Sequence, residues 1–460
     1  MSGRRVIVVG GGIAGLAAAF RLMRAGLDVT VLERGARAGG RLAATASVGG
    51  LTLDAGPDSF VARKPWAVEL CRELGVPLDR PGADGAFLWT DGGLVRYPKG
   101  SAFGIPGDIG DVLRWPGVSR AGRLRAAGDL VRRARKGPEE ETLGALLRRR
   151  LGDEATDVAV APLLGGLFAG DVDRLSALAT FPELIEWERL QGSLIRGSQA
   201  ATRAAGRMDP GPIFLRPRGG TGRLTDALVA ALGDRVRVGV AVDRLAASGD
   251  GYEVQGESGR ERSDALVLAS DAASAGGILA AAWPQVAGEL AGIRYVSTAD
   301  VLLVYPEGTA SSLPEGPGFV APRGRAPMTA STWVSSKWPD PAFGARAIVR
   351  CFVGADGDED VLEAPDDDIV EACSRHLAAL VDLPERPRAA GVVRWPRAMP
   401  QYEIGHRDRV RRIREGLPRG VSVIGNAYDG VGIADTVRAA NEAAERIIGT
   451  RTDADRETVR

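Results

Sequence analysis

The chain has 460 residues, 45% of them hydrophobic and 26% charged, the profile of a globular protein with ample core and roughly two to four domains. Its 59 Lys and Arg balance its 59 Asp and Glu, so no global field draws it to nucleic acid or to an anionic membrane. Three unpatterned cysteines (Cys71, Cys351, Cys373) argue against a disulfide framework and fit a reducing compartment. Two histidines (His376, His406) leave no basis for a histidine-rich metal site.

Val6 to Val9 reads as a short buried parallel strand. Gly10-Gly11-Gly12-Ile13-Ala14-Gly15 follows as G-x-G-x-x-G, then a predicted helix from Leu16 to Ala25, Gly26 as its stop, a second predicted strand from Asp28, and Glu33 at its carboxyl end. Each part has a task in holding a dinucleotide. Gly10 makes the tight turn, Gly12 lets backbone approach a pyrophosphate, and Gly15 lets helix and strand pack closely. The helix N-terminus offers unpaired N–H groups to phosphate, and Glu33 can accept hydrogen bonds from a ribose. Glycine-rich turns are common; the ordered strands, helix and acid around this one carry the reading. Arg4-Arg5 before an apolar run imitates a secretory leader, but the run contains the phosphate-loop glycines and continues into a second strand. A cytoplasmic protein is therefore expected. No apolar run reaches about 18 residues, so no transmembrane span is expected.

Directly after the acid and Arg34, the stretch Arg37-Ala38-Gly39-Gly40-Arg41 resembles the extension seen in FAD-binding oxidoreductases of the amine-oxidase type. There Gly40 lets the chain pass close to a cofactor and Arg41 can meet a diphosphate; the plain alternative is a solvated basic turn. Residues 48–64 begin with strand-like alternation and end in the turn Gly56-Pro57-Asp58-Ser59, suited to a flavin edge but unspecific as a turn signal. Arg63 and Lys64 precede a predicted helix from Pro65 to Leu74. They can bind carboxylates or simply be solvated.

From Phe103 to about Leu194 the composition is helical. Residues 119–136, with seven Arg or Lys against Asp129 alone, read as a basic helix, which suits an anionic surface, a partner enzyme or an ordinary solvated face. Linker-like loops stand at 136–138 and 210–212. A loop at 216–222 opens a predicted helix from Leu224 to Leu232, and predicted strands follow at 236–242, 252–257 and 264–269. The last is a nearly continuous apolar run, as in a parallel strand returning to the first sheet, so discontinuous domains are expected. Residues 294–395 read as an α+β module with strands at 299–305 and 347–353 and a helix at 367–381. Then Val421 to Ile424 reads as a strand, Gly425 to Ile433 as a Gly-rich loop, and 434–448 as a helix whose N-terminus can stabilise negative charge on a reduced flavin. A purely structural turn is the alternative.

The stretches at 161–184 (APLLGGLFAGDVDRLSALATFPEL), 335–339 (SSKWP), 394–406 (RWPRAMPQYEIGH) and 424–444 (IGNAYDGVGIADTVRAANEAA) complete a pattern spanning most of the chain. Together they resemble the oxygen-dependent porphyrinogen oxidases of haem synthesis, within the amine-oxidase-like flavoproteins and nearest to their soluble bacterial coproporphyrinogen III branch. The resemblance implies an α/β fold with a Rossmann-like FAD-binding domain, an α+β substrate domain and a helical domain. The implied segments are 1–57, 214–275 and 396–450; 58–98, 170–213 and 276–395; and 99–169, with a tail at 451–460.

The resemblance also implies FAD contacts at Gly10 to Gly15, at Glu33 and Arg34, and at Gly56 to Ser59. Val242, in the strand at 236–242, would meet the adenine through its backbone. Trp395 would lie near the flavin, and Val431, Gly432 and Ile433, following Gly425, would lie beneath its pyrimidine side. With no cysteine in that loop, the FAD is expected to be non-covalent. The implied reaction removes six electrons from coproporphyrinogen III in three two-electron steps, with O2 as acceptor and H2O2 released. Positioning of the ring should dominate, and no side chain is assigned as a general base. Arg63 and Lys64, with Lys337 third, are the candidate cations for the substrate propionates. Protoporphyrinogen IX, an amine, a polyene, or a flavin-free binding role remain as alternatives. Peripheral membrane contact and oligomeric state stay open.

Overall fold

The fold is that of a computed structural model, which describes residues 4–135, 137, 140–207, 211–257 and 259–457. Arg5–Val9 pairs in parallel with Asp28–Glu33 on one side and with Ala265–Leu268 on the other. Val236–Val238 and Val421–Val423 extend the sheet outward to five strands. These runs are short and apolar because both faces are covered. Val6 and Val8 pack among Leu16, Phe20 and Leu228 under the helices Ile13–Arg24, Gly222–Leu232 and Ile433–Glu457. Ile7 and Val9 point the other way, onto Ala275, Leu279, Leu290 and Ile413. The sheet thus draws on four separated stretches of chain, as a mixed α/β fold with a late-returning strand requires.

A second sheet of seven strands runs in the order Ala389–Pro400, Tyr295–Val304, Ile348–Val353, Ala330–Trp333, Gly318–Val320, Phe87–Thr90, Gly93–Arg96. The hairpin Thr45–Val48 and Leu51–Asp54, turned by Gly49 and Gly50 at φ +59° and +81°, packs Val48, Leu51 and Leu53 on Leu302, Val304 and Ile348 of this sheet. Its edge strand, Ala389–Pro400, carries Pro396 and Pro400, which an edge tolerates because one side of the ladder is unpaired. The register shifts opposite it between Val296 and Thr298, and Arg397 takes φ +49°.

Three sequence expectations change. The strand expected at 236–242 stops at Val238, because Gly239 at φ +69° turns the chain; Val242 lies in the connection before Arg244–Ser248. The basic stretch at 119–136 is not one helix. Arg120–Ala127 is helical, a single 3-10 turn follows over Gly128–Leu130, and Lys136 lies outside the described residues, as do Pro138 and Pro210. The last helix continues through the expected tail to Glu457, with 458–460 outside the described residues.

The helical part packs Trp115, Leu146, Leu147, Leu164, Phe168 and Phe181 into one core. At its centre Arg150 and Asp129 are both 0% exposed and ion-paired. The Arg150 guanidinium also donates to the carbonyls of Asp129 at 2.7 Å and Gly192 at 2.6 Å. Asp129 in turn accepts from Ser193 Oγ at 2.5 Å and Ile195 N at 3.0 Å. One buried pair therefore fastens Leu143–Leu151 to the start of Leu194–Arg207.

Among the described residues no helix is long and apolar enough to cross a membrane, no group of three His, Cys, Asp or Glu could hold a metal, and all three cysteines are buried thiols. Because breaking a buried pair leaves a buried charge, Arg150→Met should destabilise the protein by about 3–5 kcal/mol. Urea denaturation followed by circular dichroism reads this, and a loss below about 1 kcal/mol, the level of an exposed pair, would contradict it.

Candidate cofactor and substrate site

The strand ends set the site. Val9 lies in register with Leu32 and Leu268, and Leu268 with Val423. Gly10, Glu33, Ala269 and Gly425 therefore leave the parallel sheet at one edge, beyond its carboxyl ends, where open α/β sheets place ligands. Gly10 has φ +108°, and a Cβ there would lie 2.8 Å from Ala269 O; a Cβ on Gly15 would lie 1.9 Å from Gly10 O. Both are glycines because neighbouring backbone fills the space. At Gly12 a Cβ would meet nothing within 4 Å, so this glycine keeps room open. The helix Ile13–Arg24 begins there without a side-chain cap, leaving its first-turn N–H groups available to an anion.

Glu33 is pinned by Gly11 N at 2.6 Å and Gly35 N at 2.7 Å, and its carboxylate keeps lone pairs for ribose hydroxyls. Val240 N donates to Glu33 O at 2.9 Å, so the chain leading to half-buried Val242 starts along the same sheet edge. The second glycine pair closes over the first: Gly39 N donates to Gly11 O at 2.7 Å, and a Cβ on Gly40 would lie 3.2 Å from Gly12 Cα. Arg34 is exposed. Arg41 is half-buried; desolvation lowers its pKa against the opposing charges of Tyr295 and Asp271, and it donates to Ala398 O.

The turn Gly56 to Ser59 meets the seven-stranded sheet through buried charges. Arg350 donates to Gly56 O at 2.6 Å and pairs with Asp58 at 3.3 Å. Asp58 also accepts from Lys337 Nζ at 3.1 Å, from Trp338 Nε1 at 3.2 Å and from Ser59 Oγ at 2.7 Å. Burial pushes the Asp58 carboxyl up, but Lys337 and Arg350 together outweigh it and hold the group well below the usual carboxylate range. Thr221 Oγ1 donates to Pro57 O at 2.7 Å, anchoring the turn from the loop at 216–222.

The candidate substrate cations do not converge on one point. Lys337 is committed to Asp58 inside the protein. Lys64 Nζ binds both oxygens of Asp435, at 2.8 and 2.6 Å, in the first turn of Ile433–Glu457, and Arg63 is exposed. The C-terminal loop is held by Tyr402, whose hydroxyl donates to Asn426 O at 2.6 Å and accepts from Gly430 N at 2.9 Å. Gly425 takes φ +134°, Val431 packs on the helical core, Gly432 is exposed, and buried Ile433 starts the helix.

Half-buried Trp395 donates from Nε1 to Ala55 O at 3.0 Å and to Asp300 Oδ2 at 3.1 Å. Sequence reasoning missed Asp300; the one signal was a single acid in the apolar run Ala299 to Val304. Burial pushes the Asp300 carboxyl up to about 6, with Arg350 and the Trp395 bond opposing and Asp58 adding to the rise. A separate cavity of about 280 Å³ lies between the helical part and the second sheet, lined by Pro162, Ala169, Arg148, Arg323 and Thr329. Its arginines, Arg325 included, are paired with Asp157, Asp173, Asp171 and Asp91.

The family model of flavin-containing amine oxidoreductases matches residues 13–448. The chain belongs to that family. It is an FAD-dependent oxidoreductase. It is similar to the coproporphyrinogen III oxidase of Bacillus subtilis (strain 168), with 32% identity over 94% of this chain and 96% of that protein. A solved structure of a putative protoporphyrinogen oxidase from Exiguobacterium sp. 255-15 superposes with a TM-score of 0.85 at 31% identity, covering 98% of this chain and 100% of that one. Cyclohexylamine oxidase from Brevibacterium oxydans IH-35A shares the fold at 17% identity, with a TM-score of 0.71 over 98% and 100% of the two chains. The glycine cradle, the uncapped helix and the pinned acid of this flavin oxidoreductase fit a dinucleotide such as FAD.

A carboxyl whose pKa rises on folding contributes stability that is present below about pH 4 and lost as pH climbs through the folded value of about 6. Asp300→Asn should therefore gain on the parent protein by roughly 3 kcal/mol between pH 4 and pH 7. Paired urea curves at those pH values check this; a difference that does not change with pH would show that Asp300 titrates as an ordinary carboxylate.

Proposed function

We propose that this flavoprotein oxidises coproporphyrinogen III to coproporphyrin III in haem synthesis, in the cytoplasm. The near-full-length similarity to the Bacillus subtilis coproporphyrinogen III oxidase carries this reading. Bound FAD supplies two-electron acceptance, so six electrons leave a porphyrinogen in three rounds, with three O2 reduced to three H2O2. Gly10 to Gly15, Glu33, Gly40, Arg41 and Val242 would hold the dinucleotide, and Gly56 to Ser59, Trp395 and the loop 425–433 would enclose the flavin end. Asp58 serves that end indirectly, by fastening its turn to the sheet.

The substrate ring must lie flat at near-attack distance, and its propionates need cations. Exposed Arg63, and half-buried Lys64 once its pair with Asp435 opens, would take that part. Lys337 is reassigned to the internal ion pair with Asp58. Protoporphyrinogen IX is the second reading, favoured by the Exiguobacterium structure. It replaces two propionates by vinyl groups and would make less use of those cations.

Initial rates on the two porphyrinogens, followed by porphyrin fluorescence, test the choice. Coproporphyrinogen III should be faster by about tenfold or more, the worth of one charge-assisted hydrogen bond. Faster oxidation of protoporphyrinogen IX would select the second reading, and turnover of simple amines alone would remove both.

A further inference from the structure

Oxidising a porphyrinogen removes four meso hydrogens and two pyrrole N–H hydrogens. When each two-electron step takes a hydride from an sp³ meso carbon and a proton from a pyrrole nitrogen, one further meso proton moves to nitrogen between rounds, and each released proton needs an acceptor beside the ring. Most buried titratable groups near the site are already committed. Asp58 is enclosed by Lys337, Arg350, Trp338 and Ser59, and Glu33 by two backbone amides. His406 is stacked on Tyr402 at 4.0 Å with Nε2 against Tyr428 O. His376 lies against Trp89, away from this cluster.

Asp300 differs. It lies in Tyr295–Val304 in register with Phe352 on one side and Val393 on the other. Side chains at paired positions share a face of the sheet, and both partners are partly exposed. That same face carries Arg350, whose guanidinium lies 4.8 Å from the Phe352 ring centre and bonds the Gly56 turn. Asp300 is 6% exposed. Its Oδ2 is taken by Trp395, while Oδ1 has no protein donor among the described residues and is not one of the sealed unpaired polar atoms. One carboxylate oxygen is thus oriented by an indole and the other is left without a protein donor among the described residues.

We infer that Asp300 Oδ1 accepts the pyrrole proton in each round, an inference that rests on the porphyrinogen reading above. The meso C–H bond breaks, and its electron pair leaves as the hydride that bound FAD would accept. The N–H bond breaks with its pair staying on nitrogen, and the proton forms the O–H bond of Asp300 before release to water. The charged and titratable groups facing Asp300 are Arg350 from Ile348–Val353 and Asp58 with Lys337 behind it, while Cys351 is buried on the opposite face of that strand. Trp395 from Ala389–Pro400 supplies the hydrogen bond. Burial with only a share of Arg350 sets its titration at about 6, so it is ionised and ready to accept at neutral pH.

The test is anaerobic reduction of the FAD-loaded protein by coproporphyrinogen III, followed by loss of flavin absorbance between pH 5 and 8. The parent protein should slow as pH falls below about 6. Asp300→Asn keeps an acceptor for Trp395 but cannot take a proton. It should reduce about 100-fold or more slowly at pH 7.5 and lose that acid limb. It should still bind coproporphyrin III, by quenching of protein fluorescence, within about twofold of the parent. Asp300→Glu should retain the limb.

Equal rates and profiles for the parent and Asp300→Asn would overturn the inference and leave the functional reading standing. A parent profile flat over this range would also overturn it, whether or not the variant folds. Flavin reduced by neither porphyrinogen would remove the functional reading and the inference with it.

Discussion

Asp58 stays ionised inside the protein only because Lys337 and Arg350 lie against it. Much of the site's geometry follows from that constraint. Arg350 also bonds Gly56 O, and a Cβ on Gly56 would lie 2.0 Å from Arg41 O, so the turn is wedged between the glycine extension and the second sheet. Arg41 then reaches Ala398 O in the strand that carries Trp395. One buried carboxylate therefore fixes how the dinucleotide cradle meets the sheet above it. The arrangement is costly in isolation, since desolvating a carboxylate and two cations is offset only when each is paired.

The same cation explains why two neighbouring acids behave differently. Asp58 takes most of Arg350 and all of Lys337 and is held low. Asp300 receives a share of Arg350 and one indole hydrogen bond, so burial dominates and its pKa rises. Environments that push paired carboxyl groups apart are a usual way for one site to hold a fixed charge and a titrating group together. Here the fixed charge is architectural, and the titrating one keeps an oxygen without a protein donor among the described residues.

The cradle itself is generic. Cyclohexylamine oxidase keeps the fold at 17% identity, which shows how little of the sequence the Rossmann-like part demands. Around the cradle stand the helical core fastened by Arg150 and Asp129, the aromatic cluster of Phe168, Phe181 and Tyr402, and the loop that Tyr402 holds. A cradle that holds phosphate and ribose does not by itself distinguish one substrate from another.

The amino-acid sequence by itself determined the α/β class, the dinucleotide loop and the FAD-dependent family, because glycine spacing, strand length and helix starts are properties of neighbouring residues. Gly10, Gly15 and Glu33 were legible for that reason. The strand end at Val238 was overrun because a single glycine turns the chain there, and the strand Ala389–Pro400 was hidden by prolines that only its edge position excuses. Lys337 looked like a substrate cation because its partner is 279 residues away, and Asp300 was invisible because Trp395 is 95 residues away. Tertiary structure alone decided which cations are spent and which acid titrates: a buried group's charge depends on neighbours in space, and no short stretch of chain contains them.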